Sequence, residues 1–443
     1  MSLKSVSGGG DEGVMQESVE RKAGRVLFIG LPVTKLDKHW RRLLGEVRPG
    51  GVILFGRNVE SPAQVALLNA QIRDAVGSDV FIGIDQEGGL VDRFRHICEP
   101  MPSAKAVRSA GRTELAEKFG QLSARVLRLL GFNINFAPVL DLGGGNQENG
   151  LRARTFGNDP GTVSRLAGAY LDGLQKGGII GCGKHFPGLG GSCVDSHRRL
   201  PIVQHTWEEI FERDLVPFMD LMFHRPGERL QTVMVSHAAF PDVSEFLQAW
   251  FRRTSDLPTL DGLHRLPATI SGNVVMRLLR QVLKFDGLVI TDDMEMGAVV
   301  QTLSVAEASL RAIEAGSDMV LICEQEANFV AARDLIVQAV KEDRLSERAL
   351  NASARRMERA LATAAEPESF DEDEFQTVSR DIAELKRALK AAEDDEEYAP
   401  LYGTEEGEER RSTNFGSEHT SAAPVDPGAV ETTVLDAESK LIR

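Results

Sequence analysis

Short apolar runs alternate with amphipathic stretches along most of the chain. VLFIG (26–30), GVILFG (51–56), VFIGIDQ (80–86), FNINFAPVL (132–140), IIGCGKHFP (179–187), VMVSH (233–237), GLVITDD (287–293) and MVLIC (319–323) are rich in β-branched and aromatic residues. Several are continuous rather than alternating, the pattern of strands buried on both faces. Between them, apolar residues recur at helical spacing over 61–76, 113–130, 160–176, 206–222, 272–284, 305–315 and 326–341. Ser61-Pro62 and Asp159-Pro160 read as helix starts, a capping side chain followed by proline in the first helical position. Eight strands alternating with helices predict an α/β chain folded as a single (β/α)8 TIM-type barrel with loop insertions. The rival is an open doubly wound sheet, but the glycines of GIDQEGG and DLGGGN do not form a G-x-G-x-x-G turn opening a helix. Residues 243–266 read as a long insertion after the sixth strand, with Trp250 and Phe251 available for packing. Phe370, Phe375, Val378, Ile382, Leu385 and Leu389 predict one further amphipathic C-terminal helix docked on the barrel.

Charge changes this picture mainly at the ends. Of 443 residues, 51 are basic and 66 acidic, a formal charge of −15, and residues 393–409 carry nine carboxylates and no base. That stretch and the Ser/Thr/Gly/Pro-rich sequence beyond it bury too little apolar surface to offset the entropy of ordering, so 393–443 is expected to be a disordered acidic tail. An acidic interaction arm is the lesser reading of that tail. The chain thus divides into a flexible N-terminus (1–22), a barrel domain (23–365), a helical extension (366–392) and the tail. No apolar run approaches the roughly 20 residues of a membrane-spanning helix, and the charged N-terminal stretch is unlike a secretory signal. A pI near 5.2 lacks the basic footprint of a nucleic-acid binder. Cys98, Cys182, Cys193 and Cys323 stand singly, which fits a reducing compartment and no disulfide framework. The expectation is a soluble cytoplasmic enzyme with neither membrane nor nucleic-acid partners.

In a (β/α)8 barrel, chemistry gathers where strands end at the carboxyl face. Here strand three ends in Asp85-Gln86-Glu87, strand four in Asp141, strand five in Lys184-His185, strand six in His237 and strand seven in Asp292-Asp293. So many ionisable groups at one mouth are costly to desolvate and point to a polar binding site, although Asp141, His237 or Glu87 taken alone reads as a supporting group. Adjacent strand residues face opposite ways, so one of Asp292 and Asp293 should face the mouth while the other caps the next turn or braces a neighbour. The loop KHFPGLGGSCVDSHRRLP (184–201) is glycine-rich, read here as mobile, and carries Asp195 two residues before His197. A carboxylate beside an imidazole fixes its tautomer and raises its basicity, which suits a general acid/base.

GIDQEGG, NFAPVLDL, RTFGNDP, KHFPG, DSH and ITDDMEMGA, in this order, resemble the β-N-acetylglucosaminidases of glycoside hydrolase family 3 over residues 25–360. The resemblance implies that Asp292 is the catalytic nucleophile, that His197 is the acid/base with Asp195 as its partner, and that Asp85, Arg154, Lys184 and His185 bind the sugar. It implies a retaining mechanism acting on oligosaccharides of muropeptide or chitin type with a terminal N-acetylglucosamine; the histidines and cysteines themselves form no metal-ligand spacing, so neither metal nor cofactor is expected. Cytoplasmic peptidoglycan recycling is the setting that family members suggest. Two positions depart from the family pattern: Leu189 where a histidine is usual, and Leu90 where an arginine is common, with Arg93 and Arg95 close by. The alternatives are a family 3 β-glucosidase or phosphorylase and, behind them, a non-catalytic sugar-binding barrel. A substrate-assisted route using the Asp292-Asp293 pair is the mechanistic rival.

Overall fold

The computed structural model describes residues 17–143, 150–192, 200–224, 229–254, 265–301 and 303–393. Eight strands, β1 (Leu27–Gly30), β2 (Gly51–Leu54), β3 (Phe81–Ile84), β4 (Ile134–Asn135), β5 (Ile180–Phe186), β6 (Thr232–Val235), β7 (Leu288–Asp293) and β8 (Met319–Ile322), form a closed barrel. Each pairs in parallel with the next, and β8 closes onto β1. The continuous apolar runs become strands buried along their whole length in β1, β2, β3, β6 and β8.

Large side chains fill the barrel interior. Phe28 meets Phe81 and Phe136 at ring-centroid distances of 6.2 and 5.3 Å, within a cluster that includes Ile53, Ile134, Ile180, Met234 and Leu288. Gly51 makes room for this plug, since a Cβ there would lie 2.5 Å from the Phe28 ring. Met357 and Ala360, from the helix Glu347–Leu361, belong to the same cluster.

Helices α1 (Val19–Arg25), α2 (Lys38–Val47), α3 (Pro62–Val76), α4 (Ala104–Ala110), α5 (Thr113–Leu129) and α6 (Pro160–Lys176) lie in the first half of the chain. The starts at Ser61 and Asp159 form as expected: each side chain accepts a backbone N–H three residues on, with proline at the first helical position. Helix α1 begins inside the stretch read as a flexible end. Ser18 caps it, and the buried Lys22 pairs with Glu347 at 2.6 Å, so order starts before residue 23.

Other differences have local causes. The run 132–140 shrinks to a two-residue strand because side-chain amides do the pairing of backbone groups there: Asn133 bonds Ile82 N–H and Val80 C=O, and Asn135 bonds both backbone groups of Gln86. Much of 206–222 and 272–284 winds as π-helix. The insertion opens with a helix, Pro241–Thr254, where Phe246 stacks on Trp207 at 4.4 Å. The side chains of Trp250 and Phe251, the first 16 residues and the acidic tail from residue 394 lie outside the described residues. A C-terminal helix, Glu372–Glu393, packs on the barrel's outer layer through buried Phe375, Val378, Ile382, Leu385 and Leu389. Among the described residues no helix is long and apolar enough to cross a membrane.

Candidate active site

The loop after β3 is held by its own polar side chains. Gln86 is anchored to Asn135 through its backbone, and its side chain bonds Asp92 and the Arg93 N–H. Buried Asp92 in turn accepts the N–H groups of Phe94 and Met101. Gly88 is required where it stands, with φ +84° and no room for a Cβ, which would meet the Pro102 carbonyl at 2.1 Å. Asp85 and Glu87 are therefore delivered to the mouth by a fixed backbone.

There they meet Lys184 of β5. The buried ammonium lies 2.6 Å from Asp85 Oδ1 and 2.6 Å from Glu87 Oε1. Arg154 grips Glu87 from the other side with Nε at 2.8 Å and a terminal nitrogen at 2.9 Å, a two-pronged ion pair. Burial alone would push the Glu87 carboxyl up, but the two cations outweigh it and hold that carboxyl well below the usual range. Burial would likewise lower Lys184, yet Asp85 and Glu87 keep it raised. Both charges thus persist in a nearly dry site because each has partners.

A second array supports His185. Asp141, fully buried, accepts the ring Nδ1–H of His185 at 2.6 Å, the His185 backbone N–H and the Leu189 N–H. This fixes the His185 tautomer with the proton on Nδ1, leaving Nε2 as the ring's other nitrogen. At the Leu189 departure the loop is held through the backbone N–H, and the leucine side chain is buried. Beyond it the loop's feet pair with each other, Ser192 against Val203. Asp195 and His197, the expected acid/base pair, lie outside the described residues.

At the end of β7 the ladder to β8 changes register between Ile290 and Asp293. The Thr291 hydroxyl takes the Leu321 N–H in place of a backbone carbonyl. Such bulges re-aim side chains beside functional sites. Asp292 Oδ1 accepts the Asp293 N–H at 2.9 Å. Burial raises the Asp292 carboxyl, but His237, His185 and Lys184 with that N–H bring it below its ordinary value, so it is ionised. Its neighbour behaves oppositely: burial pushes Asp293 up to about 7, while its Oδ1 accepts the Glu295 N–H and so caps the following turn.

Asp85, Arg154, Lys184, His185 and Asp292 thus occupy one mouth, and Glu87, Asp141 and His237 prove to be their partners. Arg93 joins them, 4.0 Å from Asp85 with its buried Nε lacking a partner among the described residues. The only sequence signal for it was its nearness to the EGG turn. The arrangement offers an ionised carboxylate facing cationic and carboxylate donors and acceptors, which suits polyhydroxylated ligands. Among the described residues no group of three or more His, Cys, Asp or Glu side chains is placed to hold a metal ion.

The family model described as "Glycosyl hydrolase family 3 N terminal domain" matches residues 18–360. A β-hexosaminidase of Tolumonas auensis is 34% identical over 310 residues, which is 70% of this chain and 85% of that protein. One from Pseudomonas aeruginosa is 34% identical over 304 residues, 68% of this chain and 83% of that protein. Among solved structures, a family 3 β-N-acetylglucosaminidase from Paenibacillus sp. superposes with a TM-score of 0.71 at 31% identity, covering 84% of this chain and 69% of that one. The β-N-acetylglucosaminidase from Thermotoga maritima gives 0.64 at 25% identity, covering 77% and 68%.

Proposed function

The chain belongs to glycoside hydrolase family 3 and is a glycoside hydrolase of the β-N-acetylhexosaminidase type, and from that premise we propose that it is a retaining exo-β-N-acetylglucosaminidase. Asp292 attacks the anomeric carbon, and His197, backed by Asp195, protonates the leaving oxygen. Water then releases the sugar from the glycosyl-aspartate, with His197 acting as base. The observation that carries this reading is the Asp292 carboxylate, kept ionised by His237, His185 and Lys184 at a mouth shared with Asp85 and Arg154. A nucleophile must be ionised, and an exo-acting site needs fixed groups for the hydroxyls of one terminal sugar. Lys184 with Asp85, Arg154 with Glu87, and His185 with Asp141 supply them. A histidine, with an ordinary pKa about 6.5, exchanges protons near neutrality without the large shift a carboxylate acid requires.

Muropeptide or chitin-type oligosaccharides are the substrates this reading assigns, in a cytoplasmic setting of peptidoglycan turnover. The free thiols of Cys98, Cys182 and Cys323 fit a reducing compartment. Initial rates on paired aryl β-N-acetylglucosaminide and β-glucoside, with and without phosphate, test the specificity. Preference for the acetamido sugar supports it, preference for the glucoside overturns it, and acceleration by phosphate reassigns the enzyme as a phosphorylase. Asp292→Ala should lower kcat by about three orders of magnitude or more, and a slow 5-fluoro donor should label Asp292. Absence of a covalent adduct would favour the substrate-assisted route, to which the protonatable Asp293 beside Asp292 lends itself. His197→Ala should damage poor leaving groups far more than aryl ones, and equal losses would remove His197 from the acid role.

A further inference from the structure

His237 follows β6 directly and is completely buried, and beside its electrostatic effect on Asp292 it makes hydrogen bonds that the proposed chemistry does not account for. Its Nε2–H donates to the backbone carbonyl of Asp293 at 2.7 Å, and its Nδ1 lies 2.8 Å from the Thr269 hydroxyl. Thr269 is itself tied down, its N–H bonding the Ser236 carbonyl and its neighbour Ala268 bonding Ala238. The ring therefore spans from the 3-10 turn Ala268–Ile270 to the end of β7.

That end is where support is needed. Between Ile290 and Asp293 the β7–β8 register slips, and the regular β6–β7 ladder ends with Val235 opposite Thr291, so the backbone at Asp292 lies just past regular pairing on both sides. What fixes it is a short set of bonds: Thr291 Oγ1 to Leu321 N–H before it, Met294 N–H to the Leu321 carbonyl after it, and His237 to the Asp293 carbonyl from the β6 side. The same Asp293 carbonyl also accepts the Met296 N–H. Residue 293 is thus gripped at its carbonyl, while its N–H points at Asp292 Oδ1. Rotation of that residue would swing the N–H away from the carboxylate and turn the carboxylate with it.

We propose that His237 is a positioning residue for the nucleophile: through the Asp293 carbonyl it holds the bulged end of β7 so that the Asp293 N–H stays on Asp292 and the carboxylate stays aimed at the anomeric carbon. The proposal rests on the assignment of Asp292 as nucleophile. A side chain that only filled the core or satisfied Thr269 would act on stability. A positioning side chain acts on the bond-forming step, because displacement of a reacting group by about 1 Å can cost around a hundredfold in rate.

The test uses the whole chain in three variants. His237→Leu removes the donor while keeping an apolar filling. His237→Gln offers an amide N–H near the place of Nε2. Thr269→Val removes the hydroxyl beside the ring's Nδ1 and keeps the donor to Asp293. We expect His237→Leu to lower kcat about 10- to 100-fold with KM within about twofold, and to slow trapping by a 5-fluoro donor in the same proportion. His237→Gln should recover a large part of the loss, and Thr269→Val should give a smaller loss of kcat without one in KM. In the wild-type enzyme the trapped sugar should sit on Asp292; a label elsewhere overturns the nucleophile assignment itself. With the label on Asp292, unchanged kcat in His237→Leu, a loss confined to KM, or no recovery by His237→Gln overturns the positioning role. Should His237→Leu fail to fold, His237→Gln and Thr269→Val decide alone, and normal kcat and trapping in Thr269→Val then counts against the proposal.

Discussion

Two adjacent carboxyls with opposite shifts divide the labour at the end of β7. Asp292 is kept ionised by three neighbouring cationic or imidazole groups, whereas Asp293 is raised to about 7 by burial. Because the folded-state value of Asp293 lies above its ordinary one, the folded chain holds a proton that the unfolded chain has already released between pH of about 4 and 7. Its contribution is therefore full at the acidic end and is lost as pH rises through 7. Asp293→Asn, which keeps the shape and an acceptor for the Glu295 N–H, removes that titration. Thermal melts from pH 5 to 8 should show the wild-type midpoint falling relative to the variant, and parallel curves would refute the assignment. Strand alternation predicts that at most one of these acids faces the mouth, and the Asp293 side chain accepts the Glu295 N–H of the following turn. Alternation could not show the bulge that decides how they are turned, because the slip depends on β8, which contributes Leu321 from far along the chain.

At the scale of the element, the loop after β5 gives its glycines a steric role beside the mobility read from the sequence. Gly188, Gly190 and Gly191 lie against a floor made by Asp214 and His205, themselves paired at 2.6 Å. A Cβ on Gly188 would come 2.8 Å from that of Asp214, and one on Gly191 would come within 2.6 to 2.7 Å of three His205 ring atoms. Close approach to this floor requires glycine in this part of the loop. Gly191→Ala should thus destabilise the chain by about 1–3 kcal/mol through overpacking, and His205→Ala in the same chain should return part of the loss. Denaturant midpoints of the two single variants and the double variant measure this. Strict additivity would mean the glycine serves another purpose. The motif was legible in the sequence, and so were Lys184 and His185 at its head. Its floor was not, because Asp214 and His205 come from the following segment, and only packing reveals which residues a glycine makes way for. The same holds for Glu87 and Asp141, single acids until Arg154 and His185 are placed against them.

At the scale of the molecule, the C-terminal helix ties the outer layer to the loop that follows β3. Its start is tied to the foot of the barrel, where Arg125 and Arg128 near the end of α5 pair with Glu368 and Glu374. Further along, Ser379 Oγ accepts the Glu99 N–H at 2.9 Å and Lys386 pairs with the Glu99 carboxylate at 2.5 Å, both on the loop that follows β3. Helix α5 runs from the mouth side towards the foot, so the C-terminal helix climbs beside it in the opposite sense and braces the loop that carries Asp85, Glu87 and Arg93. The eight-strand alternation and the apolar stripe at 375–389 were readable in advance, because periodicity is local. The strut was not, because Ser379 and Lys386 are ordinary surface residues until Glu99 is set beside them. Two variants separate its duties. Phe375→Ala empties a fully buried position and should cost about 3–5 kcal/mol of stability, read from denaturant midpoints. The double variant Ser379→Ala, Lys386→Ala removes bonds at a partly exposed ion pair, worth about 1 kcal/mol or less, yet it frees the loop that carries the acids proposed to bind the sugar. Its expected signature is a raised KM with kcat and melting temperature nearly unchanged. If KM holds and only the melting temperature falls, the helix stabilises the barrel without reaching the site.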